Sequence, residues 1–173
     1  MSDTARAVPA ATGRALVVVA STRAAAGAYA DRSGPLLAEG LRAMGLQVDG
    51  PVVVPDGPAV TDALRDAVAA YDVVVTSGGT GLSPTDVTPE CTRAVIDREI
   101  PGLAEALRRY GAEHGVPTAV LSRGIAGLAG RCLVVNLPGS TGGVRDGLAV
   151  LQPVLPHALE QARAGGGHED APL

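Results

Sequence analysis

Short runs dominated by valine recur along the chain, at residues 15–20 (ALVVVA), 72–76 (DVVVT) and 132–136 (CLVVN), and they constrain it most. Uninterrupted runs of this kind belong to strands buried on both faces, as in a parallel sheet. Residues 46–54 and 118–121 read as further strands. Helical spacing fills the gaps. Residues 31–45 place Leu37, Leu41 and Met44 on one face, and residues 56–70 repeat the pattern with Val60, Leu64 and Val68 ahead of Tyr71. A short helix is expected over 89–98 and another over 101–114, with Leu103, Leu107 and Tyr110 inward and a proline at each start. Residues 141–163 carry Val144, Leu148, Leu151, Leu155 and Leu159 on one stripe, which Pro153 and Pro156 are expected to split into two helices. This alternation predicts an α/β layer around a largely parallel sheet. One domain over 14–163 suits a chain of 173 residues, with a disordered leader at 1–13 and a disordered tail at 164–173.

What is missing narrows the function. All 14 basic residues are arginine, so a Walker lysine, a Schiff-base lysine and a pyridoxal phosphate anchor are excluded. With no Trp or Phe and three Tyr, there is no material for a base-stacking platform. Net charge −4 speaks against a phosphate-backbone binder, so no nucleic-acid partner is expected. Residues 1–13 hold no apolar signal core and no run reaches a membrane span, so no membrane partner is expected and the cytoplasm is the expected location. Cys91 and Cys132 lie far apart and read as small buried hydrophobes. His114, His157 and His168 lack ligand spacing, and no serine stands in a G-x-S-x-G frame.

Ligands of open parallel sheets bind beyond the carboxyl ends of the strands. Polar, glycine-rich clusters fall at those ends, at residues 21–23, 55–57, 77–81, 122–124 and 138–143. Their amides can form an anion nest, and without lysine the remaining positive charge falls to Arg23, Arg32, Arg123 and Arg145. Asp56 and Asp86 stand out among the acids. A hard cation such as Mg²⁺ takes one or two carboxylates plus substrate phosphates, so this pair beside an amide nest suits a nucleotide-phosphate site. Two structural alternatives stay open: Asp56 as a cap for the next helix, and Asp86 as the first residue of an Asx turn. The run Gly78-Gly79-Thr80-Gly81 is not a G-x-G-x-x-G fingerprint, which leaves a dinucleotide-binding oxidoreductase weakly supported.

The stretch TSGGTGLSPTDVTPE, residues 76–90, closely resembles the signature of the MogA/MoaB family of molybdenum cofactor biosynthesis proteins, which includes the G domain of gephyrin. DRSGP at 31–35, the Val-Pro-Asp loop at 54–56, LSR at 121–123, GIAGLAG at 124–130 and NLPG at 136–139 match family landmarks in order. The resemblance implies a three-layer α/β/α sandwich. It implies molybdopterin adenylyltransferase activity, in which AMP passes from Mg-ATP to the terminal phosphate of molybdopterin and pyrophosphate is released. It further implies a homotrimer or hexamer and contact with the downstream molybdenum-insertion protein. By matching position, Asp56 and Asp86 would be the essential, Mg²⁺-linked acids. Gly78, Gly79, Thr80 and Gly81 would hold pterin and phosphates, and Ser122, Arg123, Pro138, Gly139 and Ser33 would line the same pocket. Three positions depart from the family pattern: Thr85 where many relatives carry Arg, LPGST at 137–141, and Gly57 where many carry a second acid. The departures at Thr85 and LPGST motivate the alternative of a non-catalytic, MoaB-like carrier or scaffold that binds molybdopterin. The chemistry of the residues agrees with transfer: the attacking phosphate oxygen is already ionised, so no side-chain nucleophile is needed, and catalysis rests on aligning anions and neutralising charge.

Overall fold

In a computed structural model of the chain, which describes residues 10–164, six strands form one sheet. β1 (Arg14–Ala20), β2 (Gln47–Val54), β3 (Val73–Ser77) and β6 (Cys132–Leu137) run parallel in the order β2-β1-β3-β6. β5 (Ala126–Ala129) and β4 (Arg98–Glu99) extend the sheet antiparallel beyond β6. The sheet is therefore mostly parallel, as expected.

Alternation along the strands builds two apolar layers. Val17, Val19, Val73, Val75, Leu133 and Val135 pack against α2 (Ser33–Ala43), α5 (Pro101–Glu113) and α6 (Thr141–Arg163). Leu16, Val18, Val74 and Val134 face the opposite way, onto α3 (Pro58–Val68) and α4 (Thr88–Arg93). Both sheet faces are covered, which makes the three-layer sandwich. A four-residue α1 (Thr22–Ala25) follows β1, its start held by Ser21 Oγ, which accepts from Ala24 N–H at 3.2 Å.

Three expectations need correction, and two strands were not foreseen. Residues 118–121 are not a strand but part of a 3-10 helix, Pro117–Leu121, with Val120 and Leu121 more than half exposed. Pro117 presets the helical turn, and the place beside β6 is taken by β5. β5 and β4 have no separate signal in the sequence, because β5 sits in a glycine-rich stretch and β4 has two residues. The helix expected over 89–98 is the shorter α4, since the chain must turn before Arg98 to pair β4 with β5. Finally, α6 is a single helix of 23 residues that runs through Pro153 and Pro156. The buried stripe Val144, Leu151, Leu155 and Leu159 continues on both sides of the prolines, and that packing outweighs the lost backbone bonds. The expected leader and tail lie mostly outside the described residues, but Ala11 is buried and its N–H donates to Met44 O at 2.8 Å. Cys91 and Cys132 are free and buried, and burial pushes the Cys132 thiol up to about 12, far from a thiolate nucleophile. Among the described residues, no helix is long and apolar enough to cross a membrane.

Candidate functional site

Because β1, β2, β3 and β6 are parallel, their ends at Ala20, Val54, Ser77 and Leu137 share one edge of the sheet. The chain order reverses at β1, with β2 on one side and β3 on the other, and such a switch point leaves a crevice. A cavity of about 880 Å³ opens there. Asp56, Gly78, Gly79, Thr80, Gly81 and Asp86 line it, together with Ser33, Ser122, Pro138 and Gly139. Loops more than a hundred residues apart in sequence, such as those of Ser33 and Gly139, thus meet as expected.

The loop after β3 depends on two glycines with positive φ. At Gly78 (φ +100°) a Cβ would stand 2.3 Å from Ala20 O, and at Gly79 (φ +66°) one would stand 2.2 Å from Thr88 Oγ1. Gly78 N–H donates to Leu137 O at 3.0 Å, and Gly79 O accepts from Thr88 N–H at 3.0 Å. Among the described residues, the N–H groups of Gly79, Thr80 and Gly81 have no protein acceptor. Adjacent free amides of this kind are suited to an anion. Across the cavity, α6 begins at Ser140, whose Oγ accepts from Gly143 N–H at 3.0 Å, and Gly142 and Gly143 also line the space.

The two acids flank the glycine loop. Asp56 Oδ2 accepts from Thr22 N–H at 2.9 Å and from Thr22 Oγ1 at 2.8 Å. Its Oδ1 lies 3.1 Å from where a Gly79 Cβ would be. Asp86 Oδ2 accepts from Ser83 N–H at 3.1 Å and lies 2.8 Å from a Cβ on Gly81. Neither structural alternative holds. α3 is capped by Gly57 with no side-chain bond, and Asp86 bonds backward to Ser83 while Thr88 N–H goes to Gly79 O. Each acid keeps one carboxylate oxygen without a protein donor among the described residues. Carboxylate oxygens with phosphates nearby are the ligands Mg²⁺ takes, and it needs only one or two from the protein, so the donor set fits that ion.

Arg123 sits apart from the main cavity, in an adjoining cleft. Its Nε donates to Gly81 O at 2.9 Å, Nη2 donates to Asp86 O and Nη1 pairs with Glu90, while its backbone N–H donates to Thr80 O at 2.8 Å. It therefore braces both ends of the 80–86 loop. The Arg123 guanidinium in turn holds the Glu90 carboxyl below the usual glutamate range. Arg145 does not line the cavity, and Arg32 lines a smaller cleft beside it, so neither brings a positive charge to the place where Thr85 stands. Arg23 does line it, stacked over Tyr29 at 5.3 Å from the ring centroid. Ser33 is 6% exposed and its hydroxyl donates to Asp31 Oδ1 at 3.0 Å, so it shapes the start of α2. Ser122 Oγ approaches Thr80 Oγ1 at 3.4 Å.

Sequence reasoning placed Asn136 at a strand end and in the NLPG landmark but gave it no role of its own. Its Nδ2 donates to Thr76 Oγ1 at 3.0 Å and to Thr92 Oγ1 at 2.9 Å, and its Oδ1 accepts from Ile125 N–H at 3.2 Å. This buried amide fixes β3, α4 and β5 beneath the glycine loop. A lone Asn inside an otherwise apolar run was the available signal. Arg108 was also missed; it donates to Ser122 O at 3.2 Å and Gly124 O at 2.9 Å.

Residues 16–157 match the model of the family described as the probable molybdopterin binding domain. The chain belongs to that family. It is 39% identical over 157 residues to a molybdenum cofactor biosynthesis bifunctional protein from Chlorobaculum tepidum, covering 90% of this chain and 50% of the relative. It is 35% identical over 149 residues to a molybdopterin adenylyltransferase from Helicobacter pylori, covering 83% of this chain and 84% of the relative. Among solved structures, the molybdopterin biosynthesis Mog protein from Mycobacterium ulcerans superposes with a TM-score of 0.82 at 57% identity, covering 86% of this chain and 98% of that one. The chain spans about half the length of the bifunctional relatives it matches. In that family setting, the cavity at the switch point is the candidate functional site.

Proposed function

We propose that the protein is a molybdopterin adenylyltransferase, moving AMP from ATP to the terminal phosphate of molybdopterin in molybdenum cofactor biosynthesis. An ionised oxygen of that phosphate attacks the α-phosphorus of ATP, the bond from the α-phosphorus to the bridging oxygen breaks, and pyrophosphate leaves with the electron pair. The observation that carries this reading is the placement of Asp56 and Asp86 against Gly79 and Gly81, on either side of a loop with unpaired amides. Similarity to relatives named for this activity supports it.

The residues divide the work. The amides of Gly79, Thr80 and Gly81 receive phosphate oxygens without lysine, and they are fixed in place before substrate arrives. The start of α6 offers a further amide at Gly142. Arg23 is the exposed guanidinium best placed to meet phosphate charge where Thr85 supplies none. Asp56 and Asp86 would hold Mg²⁺ through their unpaired oxygens, and the ion when bound neutralises charge between the two polyanions. Without it, two unit charges 4 Å apart repel by about 4 kcal/mol at an effective dielectric near 20. No group on the chain has to take a proton from the nucleophile.

The same reading carries a homotrimer or hexamer in the cytoplasm, handing product to the enzyme that inserts the metal; light scattering tests the assembly. The decisive experiment incubates the purified chain with Mg-ATP and molybdopterin. Adenylylated molybdopterin and pyrophosphate in equal amounts are expected. Binding of molybdopterin with no such product would instead establish the non-catalytic carrier.

A further inference from the structure

Asp146 is an acid in the cavity for which phosphate handling has no use. It lies beyond the first turn of α6 and lines the main cavity, half-buried. Among the described residues it makes neither a hydrogen bond nor an ion pair. The helix dipole does not account for it, since that effect fades within the first turn. Its position is at a corner. A Cβ on Gly111 would lie 3.7 Å from Asp146 Oδ2 and 2.7 Å from Ala119 Cβ, so α6, α5 and the 3-10 helix meet around this carboxylate. Leu107, Val116, Ala119 and Leu121 supply apolar wall to the same cavity. An apolar slot with one fixed polar group is how proteins orient flat heterocycles.

A carboxylate repels phosphate, so this corner must receive something that donates protons. Resting on the reading above, we propose that Asp146 is the specificity-determining residue for the pterin ring, accepting from its 2-amino group and N3–H. Those two donors lie side by side and parallel, and a carboxylate meets them with both oxygens in a charge-assisted pair. Adenine presents a donor at N6 beside an acceptor at N1, so the same carboxylate gains one bond and meets one repulsion. The corner therefore sorts the two substrates, placing the pterin against Asp146 and leaving adenine elsewhere.

The test compares wild type with Asp146→Asn and Asp146→Ser, all checked for native circular dichroism. Fluorescence titration uses 6-hydroxymethylpterin and the matching lumazine, which carries a 2-oxo group in place of the 2-amino group. Wild type is expected to prefer the pterin by about tenfold or more, because the 2-oxo group of the lumazine sets an acceptor against one oxygen of the half-buried carboxylate. Both variants lose that preference. In turnover, Asp146→Asn raises KM for molybdopterin by about tenfold or more while KM for ATP stays within about twofold. The proposal is overturned if wild type shows no preference or binds neither ring, if the variants keep the preference, or if both KM values rise together. Failure of the parent reading looks different. There, wild type forms no adenylylated product, yet the pterin preference and its loss in the variants persist.

Discussion

Asp56 Oδ2 takes two hydrogen bonds from Thr22, one from the backbone N–H at 2.9 Å and one from the hydroxyl at 2.8 Å. Asp56 N–H returns a bond to Thr22 Oγ1 at 3.1 Å. This reciprocal pair ties the loop after β2 to α1 after β1, and leaves Oδ1 turned toward Gly79. One oxygen fixes the geometry and the other is free for chemistry. In Asp56→Asn the carbonyl can keep Thr22 while the amide faces the cavity without a charge. Turnover is expected to fall about 100-fold or more, as when one preorganised electrostatic group is lost, with the melting temperature nearly unchanged. Asp86→Asn is expected to lose as much. Initial rates of pyrophosphate release, read beside thermal melts, check both; a variant within a few-fold of wild type would remove its acid from the mechanism.

Gly79→Ala combines a left-handed backbone with a Cβ 2.2 Å from Thr88 Oγ1. The backbone alone costs about 1–2 kcal/mol, and the steric contact adds to it. Thr88 Oγ1 is buried without a hydrogen-bond partner, so Thr88→Ala forfeits no hydrogen bond and costs only the buried methyl, about 1 kcal/mol. The double variant should then be more stable than Gly79→Ala, by relief of the contact with the hydroxyl. Urea unfolding of the four proteins measures this coupling. Simple additivity would show that the loop shifts away rather than pressing on Thr88.

Asn136→Ala removes three hydrogen bonds at a buried point and leaves Thr76 Oγ1, Thr92 Oγ1 and Ile125 N–H to find other partners. A loss of about 2–4 kcal/mol is expected. Turnover should fall as well, since the amide supports the floor of the glycine loop. Chemical denaturation and kcat measured below the onset of unfolding separate the two effects.

Arg123 predicts a pH dependence. Its hydrogen bond to Glu90 is the largest cause of that carboxyl's lowered pKa, against a smaller upward push from burial. A group with a depressed folded pKa adds stability above its unfolded value, about 4.3 for glutamate, and that stability drains as pH falls through the folded value. Arg123→Ala should therefore lower the melting temperature by roughly 2–4 °C per kcal/mol lost, more at pH 7 than at pH 3.5. Arg123→Lys should not restore it, because one ammonium cannot reach Gly81 O, Asp86 O and Glu90 together. Melts of the three proteins across that range provide the check.

The valine runs at β1, β3 and β6 and the stripes on α2 and α3 could be recognised in the linear chain because burial on both sheet faces imposes a local pattern. The same holds for the site. Gly78 and Gly79 needed positive φ, and that requirement shows in residue type alone. What stayed hidden depended on partners distant in sequence. The two-residue β4 exists only because β5 lies beside it, and Pro153 and Pro156 sit within one helix only because the sheet holds its stripe. Arg123 looked like a free phosphate ligand until Gly81, Asp86 and Glu90 surrounded it.

The sequence by itself therefore determined the layered α/β class, the edge of the sheet where loops gather, and the two acids with their glycine loop. The class and the edge follow from periodicity, the glycine loop from the conformational needs of its residues, and the choice of the two acids from their place at strand ends together with the family resemblance. The tertiary structure alone decided which charges remain free. It turned one oxygen of Asp56 to the cavity, drew Arg123 out of it, and left Asp146 unpaired against an apolar wall. Whether a side chain is available for chemistry depends on what has already bonded to it, and those partners are brought together only by folding.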